Sequence, residues 1–315
     1  MKQRKIKLIV SELFRYNKSL KDLNTDVAKK NHMAAELSRF THSIEKGLTI
    51  SDPRLGFGHD KQRKIMELII QLENSSSTYH REVCLVALDA LKEYLEYHNK
   101  RGYIDEFCNE LSEFVNSHQI DHEGKLGGVK QISKNDCKFD VDYLERFFRN
   151  RHSVRDFDDS DIDDELLKKA IILAKCAPSA CNRQGVRAYV LSRELSNSLS
   201  KELSGVGGFA DKAARIIMIT AKTSSYRQEE MYQYIVSASI FAAYLSLTLH
   251  TYGVGACIVQ RQVVWSKDWN NLRNSLCIPG DEQLCLLLAV GNLKEDFLVP
   301  VSYRLQNEEM FRFIK

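Results

Sequence analysis

Arg149 to Arg187 reads RNRHSVRDFDDSDIDDELLKKAIILAKCAPSACNRQGVR, and its four parts decide the reading of the chain. A basic knot comes first: Arg149, Arg151, His152, Ser153 and Arg155. An acidic run follows from Asp158 to Asp164, then an amphipathic pattern, Glu165 to Cys176, that predicts a helix. The stretch closes on a polar elbow, Pro178-Ser179-Ala180-Cys181-Asn182-Arg183-Gln184. Pro178 ends the helix or marks its last turn.

In an extended chain alternate side chains share a face, so Arg151, Ser153 and Arg155 point the same way. In a helix Arg151 and Arg155 are still neighbours at i,i+4. Two guanidiniums and a hydroxyl converging on one point suit a phosphate, because arginine offers planar, paired donors. A solvated basic turn answering the acids behind it explains the same residues. Asn182 and Gln184 carry both donors and acceptors, which match the mixed edge of a flat polar ring. An ordinary turn, rich in Ser, Asn and Pro, accounts for them equally. Together the two clusters suit a ligand with a phosphate at one end and a flat ring at the other.

The motifs Arg151-His152-Ser153-Val154-Arg155 and Pro178-Ser179-Ala180-Cys181-Asn182-Arg183-Gln184, in this order and separation, resemble the start of the nitroreductase family, which binds FMN. The likeness covers roughly the last 175 residues, in keeping with one domain. It implies an α+β fold: a mixed, mostly antiparallel sheet flanked by helices, working as a homodimer with the cofactor between subunits. It implies that Arg151, Ser153, Arg155 and Arg304 hold the flavin phosphate, with His152 in the same knot. Pro178, Ser179, Ala180, Asn182 and Gln184 would shape the ring site, on the chain's own flavin or its partner's. The segment with Gly255, Val259 and Gln260 would run along the ring and offer a backbone N–H near N5. Gln260 falls where some members have Glu, and Ser302 where some have a second Lys. The tail, Leu305 to Lys315, resembles a segment that adds a strand to the partner's sheet, which the alternation of Phe311 and Phe313 suits.

The implied activity is a ping-pong cycle. NADH or NADPH reduces FMN and leaves, and a nitroaromatic, quinone or related acceptor takes its place. Hydride chemistry belongs to the cofactor, so no side chain is nominated as acid, base or nucleophile. Two other functions stay open: a specialised flavin oxidase or dehydrogenase on a carbohydrate-linked or peptide substrate, and a non-catalytic flavin-fold scaffold.

Upstream, Asp22 to about His118 predicts helices: Ile65, Leu68, Ile69 and Leu72 recur at helical spacing, as do Leu85, Leu88, Leu91 and Leu95. Gln119 to Asp140 is polar, contains Gly124, Gly127 and Gly128, and is the expected linker. It divides a helical extension, residues 1–140, from the domain at 141–315. Within the extension, His42-Ser43-Ile44-Glu45-Lys46-Gly47-Leu48 and Asp52-Pro53-Arg54-Leu55-Gly56-Phe57-Gly58 resemble an extension of nitroreductase-like proteins associated with surface-polysaccharide genes. Either a helix ends at Gly47 as a C-cap before a Pro-Gly loop, or Arg54, His42 or Lys46 reaches over the flavin site and selects substrate. His118 and His122 are four apart but lack the Glu of a zinc-protease motif, and read as surface histidines.

Downstream of the elbow, strands are expected at Ala188 to Ser192, Arg215 to Thr220, Ala256 to Val259 and Gln283 to Val290. A helix is expected at Glu194 to Leu203. Gly205-Val206-Gly207-Gly208-Phe209-Ala210 imitates a dinucleotide fingerprint, but a helix precedes it and a strand follows, so no Rossmann site is expected. Glu229 to Tyr252 is the longest helical pattern, apolar nearly all round and rich in small residues, and reads as buried. By the resemblance it lies at the centre of a dimer; otherwise it is the central helix of a monomer. Trp265 and Trp269 wall the pocket or simply pack.

Composition sets the outer bounds. The 315 residues, 43% hydrophobic, suffice for a core, and a net charge of +3 implies no nucleic-acid partner. Eight scattered cysteines without a Cys-x-x-Cys pair suit reduced thiols in a cytoplasmic protein and no metal site. In the basic segment Met1 to Lys21 the longest apolar run is Leu8-Ile9-Val10, too short for a signal sequence or a membrane span. Lys2, Arg4, Lys5 and Lys7 belong to a solvated helix start or touch an anionic membrane surface.

Overall fold

The helical spacing upstream builds a layer of four helices. The structure, a computed structural model, describes residues 10, 25–118, 121–199, 208–209, 211–259, 266–304, 310–311 and 313–314. Helices α1 (Asp26–Thr49), α2 (His59–Leu72), α3 (Thr78–Asn99) and α4 (Glu106–Ser117) turn their apolar stripes onto one core. Ile44, Ile65, Leu91 and Leu111 surround a fully buried Tyr94 there. The starts are set by side-chain caps: Thr25 accepts from the Ala28 N–H, and Asp105 from the Cys108 N–H.

Gly47 is not a C-cap, because α1 runs on to Thr49. It is small for another reason: a Cβ there would sit 2.3 Å from Phe57 Cε2. Gly47→Ala is expected to cost about 1–3 kcal/mol through overpacking; an unchanged urea midpoint would refute this. The neighbouring motif is also structural. His42 meets Glu45 at 3.2 Å, and Glu45 accepts from the Gly128 N–H. The expected linker is therefore pinned along its middle, since Leu126 and Gly127 donate to Asp89 as well. His118 stacks on Phe114 and His122 sits 3.1 Å from Asp89. Both are half-buried with separate partners, not surface histidines. Among the described residues no cluster of metal ligands occurs.

The rest of the chain alternates helix and strand: α5 (Val141–Asn150), α6 (Asp164–Ala174), β1 (Val186–Val190), α7 (Arg193–Leu199), β2 (Arg215–Lys222), α8 (Gln233–Thr251), β3 (Val254–Val259), α9 (Ser266–Ser275) and β4 (Glu282–Asn292). β1 starts two residues earlier than expected and ends at Val190. The sheet order is β1-β2-β4-β3, antiparallel throughout, with a register shift at Ile219/Thr220. Its strands alternate in the period-two manner. Ile217, Ile219 and Ala221 pack with α6 and α8, while Ile216 and Met218 pack with α7 and Trp269. The fold is thus α+β. Trp269 is 3% exposed and donates its indole N–H to the Glu282 carbonyl, so it packs rather than walls a pocket.

α8 is long and apolar enough to cross a membrane by length and composition alone, with a mean hydropathy of 1.3. Here it lies on the sheet, burying Tyr234, Ala238, Ala242, Leu245 and Leu249. It is not buried all round. Ile235, Val236, Ser239, Ala243 and Tyr244 form an exposed stripe at helical spacing. Gln260, Trp265, Gly205 to Gly207 and most of Met1 to Lys21 lie outside the described residues.

Candidate functional site

Residues 151–155 run extended beside β3. Ser153 forms an isolated parallel bridge with Ala256, and the Val154 N–H donates to the Ala256 carbonyl at 3.1 Å. Val154 and Phe157 are buried in a small core with Ala213 and Ala289. Alternation therefore turns Arg151, Ser153 and Arg155 the other way. The approach needs Gly255, where a Cβ would meet Leu293 Cδ2 at 2.8 Å and Val154 Cβ at 3.2 Å.

The acids that follow are used elsewhere. Asp161 and Asp164 pair with Arg215, Asp158 accepts from the Ser160 N–H, and Asp163 caps α6. Arg149 pairs with Glu145. Among the described residues Arg151 and Arg155 have no carboxylate partner. Among the described residues Arg155 donates to the Ser153 carbonyl at 3.3 Å and lies 5.9 Å over the Phe209 ring. The basic turn is thus not answered by its acids. Burial pushes the Cys257 thiol up, against the opposing pull of both guanidiniums. Burial and then Arg151 hold the His250 imidazole below its usual range. Arg151, His152, Gly255, Ala256, Ser246 and His250 line a narrow cleft of about 40 Å³.

The elbow forms a second cleft. Its 3₁₀ turn, Ala180–Asn182, is strained: Cys181, Asn182 and Gln184 have φ of 50°, 52° and 49°. Arg183 holds it. The side chain is 1% exposed, grips Glu230 with two bonds of 2.7 Å, and donates to the carbonyls of Ala180 and Ser225. Its guanidinium also lies 4.9 Å over the Tyr226 ring. Hydrogen bonding to Arg183 drops the Glu230 carboxyl to about 2. Ser179 Oγ accepts from the Gln184 N–H at 3.1 Å. Sequence reasoning missed Arg183 and Glu230 as a pair; the only signal was a charge inside an otherwise neutral elbow.

The helical layer closes over this elbow. α1 packs on the Ala180–Asn182 turn and on a second 3₁₀ turn, Thr223–Ser225. A buried polar chain fastens the seam. His80 Nε2 donates to Asn31 Oδ1 at 3.0 Å, and Asn31 Nδ2 donates to Asp281 at 3.4 Å. Ser224 donates to the same carboxylate, and Ser75 Oγ donates to His80 Nδ1. Burial shifts the His80 imidazole downward, and the neutral ring accepts at Nδ1 while donating from Nε2. Tyr79, Val83 and Val86 of α3 then face Pro178, Ser179 and Gln184 across a cleft of about 460 Å³. His42, Lys46 and Arg54 line neither cleft.

One chain does not bring the two clusters together. The elbow cleft touches α8 at Ser237 and Phe241, the basic cleft at Ser246 and His250. Ser237 to Ser246 and Phe241 to His250 are each nine positions, two and a half turns, so the clefts flank opposite sides of α8 about 14 Å apart along its axis. Val259 is buried at the end of β3. Arg304 is exposed and donates to the Ser302 carbonyl, which has a positive φ. Phe311 and Phe313 are exposed, their rings 6.0 Å apart, and no described tail residue is in a strand.

An antiparallel sheet flanked by helices, with two guanidiniums beside its outer strand that lack carboxylate partners among the described residues, makes an α+β domain. Residues 148–292 match the family model described as the Nitroreductase family, and the match spans this domain of the chain. The nitroreductase family protein of Streptococcus pneumoniae TIGR4 is 24% identical, with 55% of this chain and 100% of that chain covered at a TM-score of 0.46. The FMN-dependent nitroreductase of Clostridium difficile R20291 is 24% identical, covering 54% and 98% at 0.45. A nitroreductase-like protein of Streptococcus mutans is 20% identical, covering 55% and 98% at 0.47. No curated protein matches the chain.

Proposed function

We propose that the protein is an FMN-dependent oxidoreductase that takes hydride from NAD(P)H and passes it to a nitroaromatic, quinone or related acceptor. The observation that carries this reading is the pair Arg151 and Arg155, left without carboxylates beside Gly255 and within the family match. The donor set fits a flavin phosphate: two planar forks and the Ser153 hydroxyl on one side of an extended segment. His152 and Arg304 join this set by resemblance. Ser179, Asn182 and Gln184 offer hydroxyl and amide groups to a ring, with Pro178 and Ala180 shaping the turn. Bound FMN supplies the hydride chemistry. The chain's own residues bind it, orient it and keep the elbow rigid. No side chain is assigned a proton transfer.

Because the clefts flank opposite sides of α8, the reading assigns the ring contacts to a second copy of the chain. The exposed apolar stripe on α8 supports that copy, as do the exposed Tyr143 and Phe148 of α5. Val236→Glu with Tyr244→Glu is expected to convert a dimer to monomers in sedimentation and to release flavin with it. A wild-type monomer, or a variant that stays dimeric, removes this part. The helical extension, residues 1–140, is assigned as an appended layer that roofs the elbow.

The absorption spectrum of the purified protein, followed by anaerobic titration with each nicotinamide, tests the whole. A yellow protein bleached by NADH or NADPH is the expected result. A colourless protein without FMN affinity overturns it. A yellow protein that neither nicotinamide bleaches selects a specialised flavin enzyme on a carbohydrate-linked or peptide substrate, a reading the helical roof favours.

A further inference from the structure

The elbow cleft carries a charge pattern that the flavin reading does not use. Arg187, on β1, lines it and donates to the carbonyls of Gln184 and Val186 from one nitrogen, Nη1. Lys175 also lines it, and Lys222 reaches the ring of Tyr79, another lining residue. Among the described residues none of the three has an ion-pair partner. Arg187 and Lys222 lie 5.7 Å and 5.3 Å from the centre of the Tyr79 ring. Burial first, and then Arg187, push the Lys222 amine down, against the opposing pull of Asp281 and Glu282. The carboxylates nearby are otherwise engaged: Asp281 with Asn31 and Ser224, Glu282 with Tyr189 and Thr220. Glu82, exposed on α3, is the one acid among the residues lining the cleft. Val83, Val86, Ile171, Val186 and Phe241 add apolar wall, beside the polar Ser179, Gln184 and Ser237.

We propose that this cleft binds a small anion with a flat apolar body, its carboxylate or phosphate held by Arg187 and its body stacked on Tyr79. The helical layer is then one wall of a selective site, and Tyr79 and Arg187 set which molecules enter. As an acceptor site this rests on the flavin reading; as an anion site it does not. Cation–π and charge-assisted contacts act together here, because neither Arg187 nor Lys222 forms an ion pair among the described residues.

The test titrates the protein as purified with 4-nitrobenzoate and with neutral 4-nitrobenzyl alcohol by isothermal calorimetry. Arg187→Gln is expected to weaken nitrobenzoate about tenfold and to leave the alcohol unchanged. Arg187→Lys is expected to recover most of that loss. Glu82→Gln changes an exposed side chain and leaves the packing intact. It is expected to tighten nitrobenzoate about twofold to threefold by removing like charge, and it keeps the test alive if Arg187→Gln does not fold. Equal affinity of wild type for anion and alcohol overturns the proposal, as does an Arg187→Gln variant that loses both alike. A yellow, reducible protein indifferent to the anion sinks this inference and leaves the flavin reading standing. A colourless protein that binds nitrobenzoate through Arg187 does the reverse.

Discussion

Glu230→Gln is expected to unfold at a clearly lower urea concentration than the wild type, a loss of about 3 kcal/mol. Arg183 is 1% exposed, so removing the carboxylate strands a guanidinium away from water. The Glu230 side chain is itself a quarter exposed, which keeps the expected loss at the lower end for such pairs. The elbow then loses the clamp that holds three non-glycine residues at positive φ. The pH dependence carries an independent signature. The folded Glu230 carboxyl titrates at about 2, against 4.5 when unperturbed. Between those values the unfolded chain binds the extra proton, so stability falls as pH falls. The contribution is fully present above about 4.5 and disappears as pH drops through about 2. Urea midpoints from pH 6 to 3 should slope more steeply for wild type than for Glu230→Gln. Equal slopes, or an unchanged midpoint at pH 7, would show that the ion pair does not hold the elbow.

The Arg151→Ala, Arg155→Ala double variant is expected to lose FMN while keeping its fold. Hydrogen bonds to a charged partner contribute about 1.5–3 kcal/mol each, so losing one from each arginine weakens binding on the order of a hundredfold or more. The fold should survive because neither side chain is buried and neither forms an ion pair among the described residues. Stability should therefore stay within about 0.5 kcal/mol of wild type. Dialysis followed by a visible spectrum decides it. Full retention of flavin by the folded variant contradicts the assignment of the phosphate to this knot.

Much of this was legible in the sequence because it depends on local pattern. The α8 and β4 patterns gave element type and rough bounds, since a long apolar helix and a buried strand each have a distinct period. The motif pair at 151–155 and 178–184 pointed to the family that residues 148–292 match for the same reason: it is a short local spacing. What local pattern could not carry was long-range pairing. Nothing in the sequence says that Arg183 finds Glu230 forty-seven positions away, or that Gly47 is small to admit Phe57. Nor does spacing tell that the acids at 158–164 turn to Arg215 and leave Arg151 and Arg155 alone. The two clusters looked like the ends of one crevice because one helix joins them in sequence. In space α8, which follows later in the chain, stands between them.

The polar chain from Ser75 through His80 and Asn31 to Asp281 joins the helices to the sheet by directional bonds, which tolerate little sliding. The two walls above the elbow are consequently held at a set spacing, as a gauge is rather than as a jaw.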